Sequence, residues 1–338
     1  MSLKVLILGI NGFVGHRLTE LILSKTDWQV SGMDLQLNRI QHCLRYPQLK
    51  IKQGDITKEL AWIKEQIEHS DVVIPLAAIA IPALYVKDPL SVFELDFEAN
   101  LQIIRLVHAA NKRLIFPSSS EVYGMCDDNE FNEQNSNLTV GPICKDRWIY
   151  SASKQLLDRV IHAYGKHHDL RFSLFRPFNW IGPNQDEVFA TTAENSRVVS
   201  RFISNIIHGR DIVLVNGGHQ RRCFTFIDDG VEALIEIIQN KNNAAEGHIF
   251  NIGNPNNNLS IKELAEKIKS LALTYPKYRE MAENTQITSV DQQEFYGNSY
   301  QDTTNRVPCI KNAKKYLGWQ PRTGIDIALK NTLDFYLN

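Results

Sequence analysis

A chain of 338 residues is too long for a minimal domain and too short for two large independent ones, so one large domain with a smaller appended lobe is expected. Its 43% hydrophobic content is ordinary for a soluble globular protein, and a formal net charge of −1 leaves no global basic field for nucleic acid or a membrane surface. Five cysteines, odd in number and never spaced C-x-x-C, and ten histidines without ligand-like spacing suggest neither a disulfide framework nor a metal site.

The opening apolar run is too short to span a membrane and passes into a glycine turn instead of a cleavage site, so a cytoplasmic location is expected. Lys4 to Leu8 has a buried-strand pattern, and Phe13 to Leu23 is amphipathic with helical spacing. Between them lies Gly9-Ile10-Asn11-Gly12-Phe13-Val14-Gly15, a G-x-x-G-x-x-G turn joining strand to helix. Glycines there permit a tight turn and let backbone approach a pyrophosphate at the helix N-terminus. Gly9, Asn11, Gly12, Phe13, Val14 and Gly15 are therefore candidate cofactor-binding residues. A lone glycine motif is weak, but here both flanks are right. Val30 to Met33 is a second strand, and Asp34 at its end can accept both ribose hydroxyl protons while repelling a 2′-phosphate. That favours NAD over NADP. Asp55 and Ile56, after the strand at Leu49 to Ile51, suit the adenine edge, although a loop aspartate there would also be unremarkable.

Val72 to Ile74, Leu114 to Phe116 and Arg171 to Phe175 are further short strands, with long helical segments at Leu90 to Ala110 and Ile149 to Tyr164. Strands alternating with helices imply right-handed βαβ units and hence an α/β, doubly wound parallel sheet of the Rossmann kind. Beyond Pro177 the alternation breaks at Gly182-Pro183-Asn184 and Gly217-Gly218. Asp228 to Ile238 and His248 to Ile252 should return to the main sheet, and Ile261 to Leu273 reads as a helix of the smaller lobe. The expected division is residues 1–176 with 226–254 for the dinucleotide-binding domain, and 177–225 with 255–338 for a discontinuous second lobe.

Tyr150 and Lys154 stand four apart and share one helix face. Such pairs are frequent by chance; this one opens a long helix after the fifth strand, downstream of Ser118-Ser119-Ser120-Glu121. A cationic Lys154 near the tyrosine and a nicotinamide would lower the phenol pKa, so that a phenolate could take a hydroxyl proton while hydride leaves the same carbon. Ser119 would hold that hydroxyl in line; its bland alternative is a serine closing the strand end.

With these residues the chain resembles the extended short-chain dehydrogenase/reductase family along its whole length. Within that family it looks like the decarboxylases of UDP-glucuronic acid, including those serving 4-amino-arabinose modification of lipid A. The resemblance rests on Phe116 to Gly124, Arg147 to Gln155, Phe175 to Pro183 and Tyr296 to Asp302. It implies oxidation at sugar C4 by NAD, loss of the C6 carboxylate as carbon dioxide, and protonation at C5. Ser120, Glu121 and Arg306 join Ser119, Tyr150 and Lys154 as implied catalytic residues, Arg306 binding the carboxylate. Guanidinium is practically never deprotonated in proteins, so an ordered water or Glu121 is the easier proton donor, with Arg306 stabilising negative charge. Tyr85, Asn179, Arg197, Gln220, Arg222 and Tyr300 are the implied substrate contacts, the arginines suiting diphosphate oxygens. Val213 stands where relatives carry a lysine. Ala80 and Ser120 stand where ring-contracting relatives that make UDP-apiose carry cysteines, which argues against ring contraction.

The resemblance also admits a UDP-xylose synthase that re-reduces the ketone, or a UDP-sugar 4-epimerase. A non-catalytic NAD sensor is a different class, opposed by the intact Ser119, Tyr150 and Lys154. The two long helices have more apolar positions than one sheet face can cover, among them Val92, Leu95, Leu101, Ile104 and Leu106, then Leu156, Leu157, Val160, Ile161 and Tyr164. A homodimer through a four-helix bundle is expected from that surplus and from the family.

Overall fold

A computed structural model describes residues 2–190 and 196–338. Seven parallel strands form the central sheet: β1 (Lys4–Leu8), β2 (Gln29–Asp34), β3 (Leu49–Gln53), β4 (Val72–Pro75), β5 (Arg113–Pro117), β6 (Phe172–Pro177) and, much later in the chain, β11 (Ile249–Ile252). Their spatial order is β11-β6-β5-β4-β1-β2-β3, so the strand order reverses between β1 and β4. Such a reversal opens a crevice at the carboxyl ends of the strands. The expected doubly wound α/β fold is present.

Alternation along each strand splits the core into two layers. Val5, Ile7, Val30, Val72 and Ile74 face one side, where they meet α1 (Phe13–Lys25) and α8 (Ile227–Gln239). Leu6, Leu8, Val73, Leu114 and Phe116 face the other, packed by α2 (Leu60–His69), α5 (Asn100–Ala109) and α6 (Trp148–His168).

The segment read as one helix from Leu90 to Ala110 is not uniform. A short α3 (Pro82–Lys87) is followed by α4 (Pro89–Phe93), a π-helical turn over Glu94–Ala99, and then α5. The fully buried Asn100 donates from Nδ2 to the carbonyls of Leu95 (3.0 Å) and Asp96 (3.4 Å). Side-chain capture of those carbonyls supports the widened turn. Of the apolar positions counted on these helices, Val92, Ile104, Leu157 and Ile161 are fully buried in the chain's own core; Leu90 and Leu156 remain exposed. The apolar surplus is thus smaller than the sequence suggested.

The remaining elements surround the crevice mouth. β7 (Trp180–Ile181) pairs with β10 (Thr225–Phe226), β9 (Arg221–Cys223) with β12 (Asn258–Ser260), and β8 (Ile212–Val215) with β13 (Ile287–Val290). α7 (Val198–Ile207) buries Val199, Phe202, Ile203 and Ile206, the i, i+3, i+4, i+7 stripe of an amphipathic helix. α9 (Ile261–Ala272) starts at a capping box in which Ser260 and Glu263 satisfy each other's backbone N–H. α10 (Arg279–Asn284), α11 (Gln292–Tyr296) and α12 (Ile325–Leu337) complete the chain. One apolar cluster runs continuously from α1 and α8 into α7, α9 and α12. Among the described residues no helix is long and apolar enough to cross a membrane.

Candidate active site

The glycine turn lies between β1 and α1. Gly9 has φ +90°, and a Cβ on it would fall 2.6 Å from the Ala77 backbone nitrogen. A Cβ on Gly15 would fall 2.2 Å from the Gly9 carbonyl oxygen. Both positions therefore require glycine, and backbone is laid bare at the start of α1. Gly12 is the N-cap and offers no side chain to the first helical N–H groups, which stay open to an anion. Asp34, at the end of β2, accepts from the backbone N–H of Asn11 and of Leu35, each at 2.8 Å. Burial pushes its carboxyl above the ordinary value while those N–H groups pull it back.

Two candidates are engaged elsewhere. The Asn11 side chain accepts from the N–H groups of Arg39 and Ile40 and donates to Asn38, so it pins the loop after β2. The Asp55 carboxylate accepts from the Thr57 N–H (2.9 Å) and hydroxyl (2.7 Å), which hold its pKa below the usual value. It closes its own turn beside the buried Ile56.

One cleft of about 320 Å³ gathers most of the rest. Phe13, Val14, Tyr85, Ser119, Ser120, Glu121, Tyr150, Asn179, Arg197, Gln220, Arg222, Tyr300 and Arg306 all line it, although they come from distant parts of the chain. Tyr150, in the first turn of α6, stacks face to face on Tyr85 from α3, with ring centroids 4.6 Å apart and planes 5° from parallel. Burial pushes the Tyr150 phenol far up, the charge of Asp96 adds to that, and the Ser119 hydroxyl draws it down. Lys154, one turn along α6, is almost wholly buried, its Nζ 3.2 Å from Asp96 Oδ1. The same ammonium lies 5.7 Å from the centre of the Tyr150 ring.

Opposite the tyrosines stands a cluster of charges. The Glu121 carboxylate is held between Arg147 Nη2 (2.8 Å) and Arg306 Nη1. Burial alone would raise its carboxyl, but Arg147 and Arg306 outweigh burial and hold it at about 2. Glu121 is accordingly an ionised acceptor near neutral pH, not the proton donor considered from the sequence. Arg306 is 2% exposed and anchored by Nε on the Thr303 hydroxyl at 2.9 Å, which is far from an ordinary surface arginine. Its Nη2, together with Nε and Nη1 of Arg147, is buried without a hydrogen-bond partner among the described residues. Arg147 also lies over the Tyr300 ring, 5.3 Å from its centre.

Arg222 and Arg197 line the cleft with their donors partly engaged. Arg222 bonds Asp302 (2.6 Å) and the Thr303 carbonyl (2.9 Å), and Arg197 bonds Asp186 and the Gln185 carbonyl. Asn179 sits at φ +41° and donates to the Cys223 carbonyl.

Comparison with known proteins agrees with this geometry. A model of the NAD dependent epimerase/dehydratase family matches residues 5–253, from β1 to the end of β11. The chain belongs to that family. Its cofactor is NAD, and the turn at Gly9, the uncapped start of α1 and the Asp34 carboxylate fit a dinucleotide. Among solved structures, the PbgP3 protein from Burkholderia pseudomallei shares 49% identity, covering 100% of this chain and 97% of that one, with TM-score 0.90. A dTDP-glucose 4,6-dehydratase from Bacillus anthracis in complex with NAD shares 21% identity over 99% and 96% of the two chains (TM-score 0.78). A UDP-glucuronic acid 4-epimerase from Bacillus cereus, in complex with UDP-glucuronic acid and NAD, shares 21% over 98% of each (TM-score 0.80). At that identity the last two speak for the fold alone.

Asp96, Arg147 and Asp302 are the site residues that sequence reasoning passed over. Asp96 sits in the acidic stretch Glu94-Leu95-Asp96-Phe97-Glu98, where no motif singles one carboxylate out. Arg147 and Asp302 lay within motifs that carried the family resemblance, and their ion pairing is visible only in three dimensions.

Proposed function

We propose that the chain oxidises UDP-glucuronic acid at C4 with NAD and decarboxylates the product, giving a UDP-4-keto-pentose, carbon dioxide and NADH. One observation carries the choice of a carboxylated sugar. Two buried guanidiniums, Arg147 and Arg306, line the cleft that also holds Tyr150 and Ser119, and among the described residues three of their nitrogens have no hydrogen-bond partner. Unpartnered buried donors are costly unless a ligand satisfies them, and a planar fork suits a carboxylate.

NAD, held on the glycine turn with its adenosine ribose on Asp34, supplies a hydride acceptor. Tyr150 takes the proton from the C4 hydroxyl, Ser119 holds that hydroxyl in line, and Lys154 favours the phenolate. The resulting ketone lies β to the carboxylate and accepts the electron pair of the C5–C6 bond as carbon dioxide leaves. Arg306 and Arg147 hold the carboxylate beforehand and stabilise negative charge afterwards. The proton removed at O4 equals the proton needed at C5, so the whole sequence neither consumes nor releases one. Glu121 fixes the two guanidiniums at its ends. Asn179, Arg197, Gln220, Arg222 and Tyr300 take the nucleotide side of the substrate, with Tyr85 against the sugar.

The catalytic half is read as residues 1–176 with 226–254 and the nucleotide-sugar lobe as 177–225 with 255–338. Exposed Leu90 and Leu156, with half-buried Leu101 on α5 and Val160 on α6, support a homodimer through a four-helix bundle. The test of the reaction is incubation with UDP-glucuronic acid and excess NAD, following NADH absorbance and product mass together. The proposal expects NADH and a product lighter by carbon dioxide. An unchanged mass would mean epimerisation, and loss of mass without NADH would mean re-reduction; either replaces the proposal.

A further inference from the structure

Lys154 has a buried carboxylate as its ionic partner. Asp96 is fully buried in the π-helical turn ahead of α5, and its Oδ1 lies 3.2 Å from the Lys154 ammonium. Its Oδ2 accepts from the Ile79 N–H at 2.9 Å, in the loop after β4 that continues into the cleft wall at Ala80 and Ile81. Asn100 supports the turn from below by bonding the Leu95 and Asp96 carbonyls. Asp96 shares the buried helix stripe of Val92, Ala99 and Ile103, which carries its carboxylate to the inner side of the site.

Charges around the phenol can be counted element by element. Asp96 comes from the π turn, Lys154 from α6, Tyr85 from α3, and Ser119 and Glu121 from the segment after β5; Arg147, just before α6, and Arg306, near the C-terminal end, both pair with Glu121. Lys154 also lies 5.1 Å from the centre of the Phe116 ring, whose face attracts the ammonium. Lys154 and Asp96 sum to zero. Ionising Tyr150 would leave these three nearest groups with a net negative charge, which burial resists, while the two guanidiniums farther along the cleft are drawn to Glu121.

We propose that Asp96 is a positioning residue that neutralises Lys154 in the cofactor-free protein and so keeps Tyr150 protonated until the cationic ring of oxidised NAD enters the cleft. With that second cation present, lysine, carboxylate, phenolate and nicotinamide again sum to zero. Phenol ionisation is thereby coupled to cofactor binding, and a proton leaves as NAD arrives. The inference rests on Tyr150 as the proton acceptor of the reaction. Burial raises the Asp96 carboxyl and Lys154 opposes that rise, as expected of a pair whose charges sustain each other.

The first test needs no turnover. Tyrosinate formation is titrated by ultraviolet difference spectroscopy on the cofactor-free protein, with Tyr150→Phe subtracting the other ten of the 11 tyrosines. Asp96→Asn keeps an acceptor for the Ile79 N–H and removes the charge. Its Tyr150 midpoint should fall by about one pH unit or more, the usual effect of an uncompensated cation at this range. A midpoint that is unchanged or higher in folded Asp96→Asn overturns the proposal, because an anchor for Ile79 alone would alter only the melting temperature. A second measurement uses the unmodified protein, should Asp96→Asn not fold. Calorimetry of NAD binding in buffers of different protonation heat should report net proton release that disappears in Tyr150→Phe. Absence of release from the unmodified protein also overturns it. Near-normal turnover by Tyr150→Phe would instead sink the reading of Tyr150, so the two failures are distinguishable.

Discussion

Arg306→Ala removes a guanidinium that is 2% exposed and paired with Glu121. Arg147 and Arg306 together overcome burial to hold the Glu121 carboxyl at about 2, against an ordinary value of 4.5. The difference, 4.5 − 2, is worth on the order of 3 kcal/mol at about 1.4 kcal/mol per pH unit. Arg306 acts through both its charge and its hydrogen bond, beside Arg147 and Arg222, so its loss should give up at least about 1–2 kcal/mol, with further destabilisation from the vacated volume. The folded-state value lies below the unfolded one, so this stability is present above pH 4.5 and is lost as pH falls toward 2. Thermal unfolding across pH should therefore show the largest deficit of the variant near neutrality. That part of the deficit should shrink on acidification through the same window.

Kinetics give the sharper reading of the same substitution. If Arg306 acts after C4 oxidation, Arg306→Ala should still form NADH on mixing with UDP-glucuronic acid and NAD. Carbon dioxide release should fall by roughly 10²–10³, the usual loss when one preorganised donor to a developing anion is removed. NADH would then decay as the keto acid is reduced back. Arg306→Lys should recover only part of the rate, since an ammonium lacks the planar fork. Trapped carbon dioxide from a single turnover, measured beside NADH absorbance, separates the two steps. Near-normal carbon dioxide release in Arg306→Ala refutes the role outright, and loss of NADH with UDP-sugar binding intact moves Arg306 into the oxidation step.

Tyr150→Phe should lower NADH formation by about 10²–10⁴ while UDP-sugar binding measured by calorimetry stays close to normal, because only the proton acceptor is lost. Asp34→Ala should weaken NAD binding by about 1.5–3 kcal/mol and relax discrimination against NADP, and a wild-type preference for NADP would contradict the assignment. Leu156→Glu places a charge on the exposed face of α6 and should convert a homodimer to monomer by light scattering; a wild-type protein that is monomeric and fully active removes the four-helix-bundle proposal.

What the sequence disclosed was local. The glycine spacing, Asp34 at a strand end, and Tyr150 with Lys154 on one helix face are all set within one strand, turn or helix. Helical spacing likewise gave α6 and α9 within a few residues of their ends. What stayed hidden depends on distant segments meeting. Arg222 and Arg197 were read as free phosphate donors, yet Asp302 and Asp186 already occupy part of each fork. The Tyr85 stack on Tyr150 joins residues 65 positions apart (150 − 85). Asp96 was concealed for a related reason: helical spacing places it on the stripe of Val92, Ala99 and Ile103, but its ionic partner Lys154 lies 58 positions on (154 − 96) and meets it only in the folded chain.

The buried charges explain why this cleft cannot be read as packing. Glu121 with Arg147 and Arg306, Arg222 with Asp302, and Lys154 with Asp96 all lie in or beside one cleft, each pair removed from water by most of its surface. Desolvating such ions costs several kcal/mol apiece, and a well-packed apolar substitute is often neutral or stabilising. A fold selected for stability alone would therefore favour leucine and methionine in these positions, as it does a few ångströms away in the two core layers. Paired charges that survive there, some with N–H donors still unanswered, are arranged for something that enters. In the proposed reaction the same pairs set the order of events: Asp96 governs when the phenol can ionise, and Glu121 fixes the guanidiniums that meet the substrate carboxylate.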